Sequence, residues 1–455
     1  MFGLKGFDVV IGNPPWGAKL SKQTKAILKQ NYPEIDSSTP NSFAYFIGAA
    51  RRFSKCSISY VLPDAFLIKD YAKTRALLYP NITRLNWYLN TGIPEDFRPF
   101  IYVEHDVCVV ISNQSTTSEE CHVSKCIYDA DVRKSAFVDD DLRKDEFIFS
   151  KHDHIYNLKV SRASYKIMMQ METTETLADL MQCHEGIHTG NSRELLFLDH
   201  KANEHCHPLY YGGRAGDAIR NYNSKPKGWY VDYRSTIIDK SKGFYASLRD
   251  ERIFSKPKIY ITRTGNPIKA FFDESTYASN NFFSLQFKDY NSNSRDRLLR
   301  VLPLILSSCA NYYIRNFAAP RLGNTYIETK IIHLNRIPIP NDFFADSSPL
   351  AMLTELMVAA VKKDVQEACF LESLIDACVM ECYFRGHMAQ RDLLFHDTIT
   401  EALQDYDPEA SETEQVNYLE TVHQRLIAAK IPERLARIPE ASPDLLAVIL
   451  NEGKV

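Results

Sequence analysis

The stretch "GFDVVIGNPPWG", Gly6–Gly17, constrains this chain more than any other. An apolar run, Phe7–Ile11, has the β-branched and aromatic content of a strand and runs directly into Gly12-Asn13-Pro14-Pro15-Trp16. Two successive prolines set φ twice and remove two backbone donors, so the loop is stiff and presents carbonyls rather than N–H groups. The Asn13 side-chain oxygen and the Pro14 carbonyl then make a pair of acceptors in fixed geometry. The group that matches them is an exocyclic amine with two N–H donors. Accepting both bonds draws the nitrogen lone pair out of the attached ring and makes it nucleophilic. Trp16 offers a flat face on which such a ring can stack. The alternative is a proline-rich turn that closes a strand with Trp16 in the core. The strand before the loop and the aromatic after it favour the site.

Residues 1–115 alternate strand and helix signals. Strands are expected at Phe7–Ile11, Ser57–Leu62, Ile82–Asn90 and Asp106–Ser112, and helices at Lys22–Gln30, Ser42–Phe53 and Ile68–Leu78, with Asn41-Ser42 as N-cap of the second helix. That alternation predicts a parallel-type α/β sheet. Residues 116–174 are polar and mixed and read as a connector, with "DADVRKSAFVDDDLRKDEF" at its centre. Residues 175–345 carry short β-rich runs ("KPKIYITR", "NFFSLQF") between turn clusters, interrupted by a helix over Arg295–Asn316. Leu350–Tyr383 has apolar residues at helical spacing, so 346–400 reads as a helical close. Residues 401–455 read as an acidic tail with a short amphipathic piece near Val416–Ala429.

Charge adds a partner class. Net charge is only −3, yet residues 181–340 hold 23 Lys and Arg against 14 Asp and Glu, and residues 1–80 hold 11 against 5. The stretch 391–455 reverses this, with 6 against 13. Two basic segments point to a polyanion. No apolar run approaches the roughly 18 residues needed to span a bilayer. Ten cysteines without a regular framework fit a reducing cytoplasm. Cys183-His184…His188 and His205-Cys206-His207 crowd possible zinc ligands, but without a paired CxxC they read as ordinary core or surface residues.

"FDVVIGNPPWG" resembles motif IV of the DNA amino-methyltransferases, whose signature is Asp, Asn or Ser followed by Pro-Pro-aromatic. The Asn-Pro-Pro-Trp form is typical of the N6-adenine branch. "NSFAYFIGAARRF" and "SISYVLPDAFL" resemble the helix and strand that follow, and "FRPFIYVEHDVCVVI" the segment whose aromatic stacks on the other face of the flipped base. Either Phe97 or Phe100 could take that role, and spacing to the strand favours Phe100. "GIHTGNSRELLF", "LYYGGRAGDAIRNY", "KPKIYITRTGNPIKAFFDE", "SNNFFSL" and "PRLGNTYIETKIIHLNRIPIP" resemble the TaqI-type C-terminal target-recognition domain of type IIG restriction-modification enzymes. The likeness covers about residues 1–395.

The resemblance implies an α/β fold. A partial Rossmann-like methyltransferase sheet, from its fourth strand onward, is followed by a mixed α+β recognition domain and a C-terminal helical segment. It implies site-specific methylation of adenine N6 by S-adenosylmethionine on double-stranded DNA, with the target base flipped out. Asn13, Pro14, Pro15 and Trp16 would be catalytic, with Asn13 also near the cofactor and Trp16 and Phe100 enclosing the base. Arg193, Arg214, Lys256, Arg263, Arg321 and Asn324 are the candidate phosphate or base contacts.

One part of the family pattern is missing. The cofactor's glycine-rich turn is not found: "FRGHM" at Phe384 follows a helix, and "YYGGRAGDA" lacks a strand-then-helix setting. The chain is therefore expected to start mid-domain, inactive alone, and to depend on another chain or upstream segment for the cofactor half, with a restriction subunit as a further partner. The alternative is a non-catalytic recognition subunit that supplies specificity to a partner enzyme. No PD…(D/E)xK nuclease arrangement is present.

Overall fold

The apolar run at the start does form a strand, β1 (Phe7–Gly12). The computed structural model describes residues 6–35, 41–68, 71–149, 154–158, 160–212, 219–265, 267–317, 327–345, 348–363 and 368–453. They fall into two units, 1–166 and 167–455.

The first unit is built on a six-stranded sheet. Its other strands are β2 (Ser54–Pro63), β3 (Ile82–Tyr88), β4 (Val107–Asn113), β5 (Glu120–Asp129) and β6 (Lys134–Arg143), in the order β1-β2-β4-β3-β5-β6. The expected parallel sheet is only partly realised. β1 with β2 and β3 with β5 are parallel, but β4 runs antiparallel to both β2 and β3. The cause is the connection between β3 and β4. It holds only a short 3-10 turn, Glu95–Phe97, and no crossover helix, so the chain returns in the opposite direction.

The expected connector over 116–174 is likewise different. β5 and β6 pair over ten residues, Glu120↔Arg143 to Asp129↔Lys134, and extend the sheet. β6 is an edge strand exposed along most of its length, so its side chains show no buried-face alternation and the sequence reads as connector.

Helix α1 is Lys22–Asn31, α2 is Ser42–Phe53, and the expected third helix appears as two short pieces, α3 (Ala65–Ile68) and α4 (Ala72–Leu78). In α2 the residues Phe43, Ala44, Ile47 and Ala50 fall on one stripe and are buried. They pack with Ile58, Tyr60 and Leu62 of β2, Leu85 and Trp87 of β3, and Cys108 and Val110 of β4. Alternate residues of the same strands project to the other face, and Ser59, Val61, Val109, Ile111, Asn86 and Tyr88 there stay partly exposed. Within the described residues β1 pairs on one side only, and it leaves Phe7 53%, Val9 53% and Ile11 77% exposed.

The second unit holds two four-stranded sheets. One has the order Ala270–Asp273, Lys258–Thr262, Phe282–Phe287, Met181–Glu185 and is antiparallel throughout. Its core is aromatic: Tyr210, Tyr260, Phe271 and Phe282 meet at ring distances of 4.7–6.2 Å. The helix expected over Arg295–Asn316 is two, Ser294–Leu306 and Ser308–Phe317, broken at Ser307. Helices Leu350–Lys362 and Ala368–Ala389 follow.

The stretch after 400 is helical as well, at Glu412–Ala428, Ile431–Ala436 and Leu446–Gly453. It buries Leu419, Val422, Leu426, Leu446 and Ile449, while acids such as Asp405 and Glu412 pair with Arg425 and Lys362 at the surface. The net charge of the stretch hides this spacing of three and four.

A fully buried lysine ties the sheet of Lys258–Thr262 to its loops. Lys258 Nζ reaches Asp273 Oδ1 at 3.0 Å and donates to the carbonyls of Phe254 (2.8 Å) and Lys256 (2.9 Å). Burial pulls its ammonium below the ordinary lysine value, and Asp273 opposes that pull. Removal of either partner strands a buried charge. Lys258→Met and Asp273→Asn should each cost about 3–5 kcal/mol by urea denaturation, and Lys258→Met with Asp273→Leu should recover much of the loss.

Asp232 accepts from Arg234 Nε at 2.7 Å and from Asn203 at 2.9 Å, and the Arg234 bonds hold its carboxyl down at about 2. Its folded value lies below the unfolded one. Its contribution is therefore full above about pH 4 and fades as pH falls towards 2. Urea midpoints at pH 4, 3 and 2 should fall less steeply for Asp232→Asn than for the wild type.

Candidate functional site

The Asn13–Gly17 loop leaves the C-terminal end of β1, where α/β sheets place ligands. Three bonds pin it. The Trp16 indole N–H donates to the Val61 carbonyl of β2 at 3.3 Å. The Ser42 hydroxyl donates to the Pro15 carbonyl at 2.5 Å, and the Gly17 N–H donates to Asn41 Oδ1 at 3.0 Å. Gly17 sits at φ +68°, a left-handed conformation that suits glycine.

Asn41 does stand at the N-cap position of α2, but its side chain turns to Gly17 instead of capping the helix. Pro14 is buried and Trp16 half-buried against the core, while Asn13 and Pro15 are exposed. Among the described residues no hydrogen bond occupies the Asn13 side chain. The loop is thus held from behind with its leading amide open to solvent.

The register brings a second loop to the same end of the sheet. Tyr88 at the end of β3 pairs with Val107 at the start of β4, and Val107 pairs with Pro63 at the end of β2. The connection over 89–106 therefore emerges beside the ends of β1 and β2. Two buried polar side chains organise it. Asp106 Oδ1 accepts from the N–H groups of Asn90 (2.9 Å) and Thr91 (2.8 Å). Asn90 Oδ1 accepts from the Phe100 N–H at 3.1 Å, and its Nδ2 donates to the carbonyls of Phe100 and Val103.

Phe100 is half-buried and stands edge-on to Tyr88 of β3 at 5.3 Å. Phe97 lies against Tyr128 of β5 at 5.7 Å, one strand further from β1. Asn41, Ser42, Asn90 and Asp106 hold the two loops, whereas the sequence reading gave Asn41-Ser42 only a helix cap and Asn90 and Asp106 only strand ends. Their only signal is a small polar residue at the mouth of a strand or helix.

The expected DNA contacts divide. Arg193 is exposed, with its guanidinium 4.8 Å over the Tyr211 ring, which stacks on Trp229 at 4.5 Å. Lys256 is exposed, 4.8 Å over Tyr290. Arg263 is half-buried. It sits 3.5 Å from Glu185, which also binds Arg249 (3.2 Å) and His188 (2.7 Å). Arg214, Arg321 and Asn324 lie outside the described residues.

Among the described residues no three His, Cys, Asp or Glu side chains converge as metal ligands, and no helix is long and apolar enough to cross a membrane. All ten cysteines are free, and burial pushes the Cys183 thiol up to about 12.

Comparison with known proteins agrees with this layout. Residues 1–91 match the family described as Eco57I restriction-modification methylase, and residues 210–339 match the TaqI-like C-terminal specificity domain. A Methanocaldococcus jannaschii protein named as a type II restriction enzyme and methyltransferase is 23% identical over 411 residues, 86% of this chain and 32% of its own. The chain thus spans about a third of the length of that curated relative. Among solved structures, the type IIG restriction endonuclease BpuSI is 13% identical with a TM-score of 0.31, over 83% of this chain and 54% of that one. The type IIL enzyme MmeI in complex with DNA is 12% identical with a TM-score of 0.47, over 92% and 57%. The chain thus carries a segment similar to the Eco57I restriction-modification methylases at its start and a segment similar to the TaqI-like C-terminal specificity domain behind it.

Proposed function

We propose that this chain supplies the base-binding loop and the target-recognition unit of a site-specific DNA adenine-N6 methyltransferase. The observation that carries this is the open Asn13 amide on a loop fixed from behind by Trp16, Ser42 and Asn41. In this reading Asn13 Oδ1 and the Pro14 carbonyl accept the two N–H bonds of a flipped adenine's amine and raise its nucleophilicity. Trp16 bears on one face of the ring, and Phe100, on the loop held by Asn90 and Asp106, closes the other. The amine sheds its proton to solvent after it has reacted, so no general base is required. Duplex DNA is the substrate.

S-adenosylmethionine is the methyl source this class implies. The chain's residues fit the base side of such a pocket and not the cofactor side, because no glycine-rich turn follows an apolar strand where the cofactor would rest. We assign the cofactor side to another segment, of this protein or of a partner, that continues the partial Rossmann-like sheet beyond β1. Two observations support that assignment. β1 leaves Phe7, Val9 and Ile11 exposed along an edge unpaired among the described residues, a state soluble proteins rarely leave uncovered. The sheet face that carries Ser59, Val61, Val109 and Ile111 is also only partly covered.

Titration calorimetry tests the division of labour. The chain alone should bind duplex DNA with strong salt dependence and give no heat with S-adenosylmethionine. Tight cofactor binding by the chain alone would overturn the assignment of the cofactor side elsewhere.

Activity is tested by expressing the chain with its neighbouring coding sequences in a methylation-free host and sequencing for modified bases. N6-methyladenine at one motif is expected. Asn13→Ala should lower it by about a hundred-fold or more with DNA affinity kept. Asn41→Ala, which releases Gly17, should lower it by about ten-fold. N4-methylcytosine would overturn the adenine assignment. No methylation in any such pairing would leave a recognition subunit without catalysis.

A further inference from the structure

The recognition unit holds one exposed aromatic more tightly than its burial explains. Tyr245 is 62% exposed and belongs to none of the buried clusters. Its backbone is nevertheless clamped on both sides. The Tyr245 N–H donates to Asn191 Oδ1 at 2.8 Å, and Asn191 Nδ2 donates to the Gly243 carbonyl at 3.1 Å. The Ser192 hydroxyl donates to the Tyr245 carbonyl at 2.9 Å, and the Ser247 N–H donates to the His188 carbonyl at 2.8 Å.

The ring itself lies across Gly190. That residue has φ +54°, and a Cβ there would stand 2.5 Å from Tyr245 Cε2 and 2.4 Å from its carbonyl oxygen. Only glycine admits this approach. The segment "HTGNS", His188–Ser192, thus acts as a cradle that fixes one tyrosine face towards solvent. Cations flank the cradle in the sequence, Lys242 among them 3.4 Å from Asp239 at the surface. Ser192 is followed by exposed Arg193, and the loop before Tyr245 carries exposed Lys240 and Lys242.

We propose that Tyr245 is a DNA-contacting residue of the recognition unit, its ring packing on a base edge or deoxyribose while Arg193, Lys240 and Lys242 meet neighbouring phosphates. The inference rests on the duplex-DNA reading above. A preorganised tyrosine has two side-chain torsions and little freedom left to lose, so the apolar contact it makes on binding is kept almost whole. The role is specific to the ring, since the phenol makes no hydrogen bond among the described residues.

The test measures binding of the full chain to mixed-sequence duplex DNA across a salt series. Tyr245→Ala should weaken binding by about ten-fold. It should leave the slope of log affinity against log salt unchanged, because a neutral ring displaces no counterions. Lys240→Ala with Lys242→Ala should instead flatten that slope by about two. Tyr245→Phe should bind as the wild type does, and Asn191→Ala should lie between the wild type and Tyr245→Ala. Melting temperatures of the two Tyr245 variants should match the wild type, which separates lost contact from lost fold.

Wild-type affinity in Tyr245→Ala overturns the inference and leaves the DNA reading standing. Equal loss in Tyr245→Ala and Tyr245→Phe overturns the ring contact in favour of the hydroxyl. Failure of the wild type to bind duplex DNA removes the DNA reading and this inference together.

Discussion

The parallel pairing of β1 with β2 is the constraint on which the candidate site depends. It sets Gly12 level with Tyr60, so the Asn-Pro-Pro-Trp loop emerges where β2 is about to end. Only there can the Trp16 indole reach the Val61 carbonyl and the start of α2 reach Pro15 and Gly17. The antiparallel return of β4 then places the loop over 89–106 at the same end. A slip of one residue between β1 and β2 would turn Val10 away from the core and carry the loop past its three anchors.

Polar side chains do the positioning on both loops. Asn41, Ser42, Asn90 and Asp106 each bond backbone groups that the loops would otherwise leave unmatched near the protein interior. Loss of such a bond leaves a donor or acceptor unpaired, which costs more than the bond itself contributes. The second unit follows the same logic. Lys258 gathers two carbonyls and a carboxylate, and Asn191 and Ser192 grip the strand of chain that carries Tyr245. In both units a set of side-chain to backbone contacts presents one or two side chains to solvent.

Legibility in the sequence tracks burial. The helix over Ser42–Phe53 and the strand around Ser57–Leu62 have one face in the core, and their periodicity shows it. β6 buries almost nothing, and its run of Asp139, Asp140 and Asp141 looks like linker although it pairs along its whole length with β5. The stretch after 400 misleads in the opposite way. Its acids dominate the composition, while the apolar residues that dock its helices are few and spaced by three and four.

The sequence by itself determined the stiffness of the Asn13–Trp16 loop, because two successive prolines restrict a backbone wherever they stand. It also determined the match to the Eco57I and TaqI-like families. It could not say which charges are free. Arg193 and Arg263 are equivalent as letters, yet Arg263 faces Glu185 and Arg193 lies over Tyr211 in solvent. Nor could it say that Asn41 serves the loop instead of its own helix, or that Gly190 exists to admit Tyr245. Those outcomes depend on contacts between residues tens of positions apart, and only the packed chain brings such residues together.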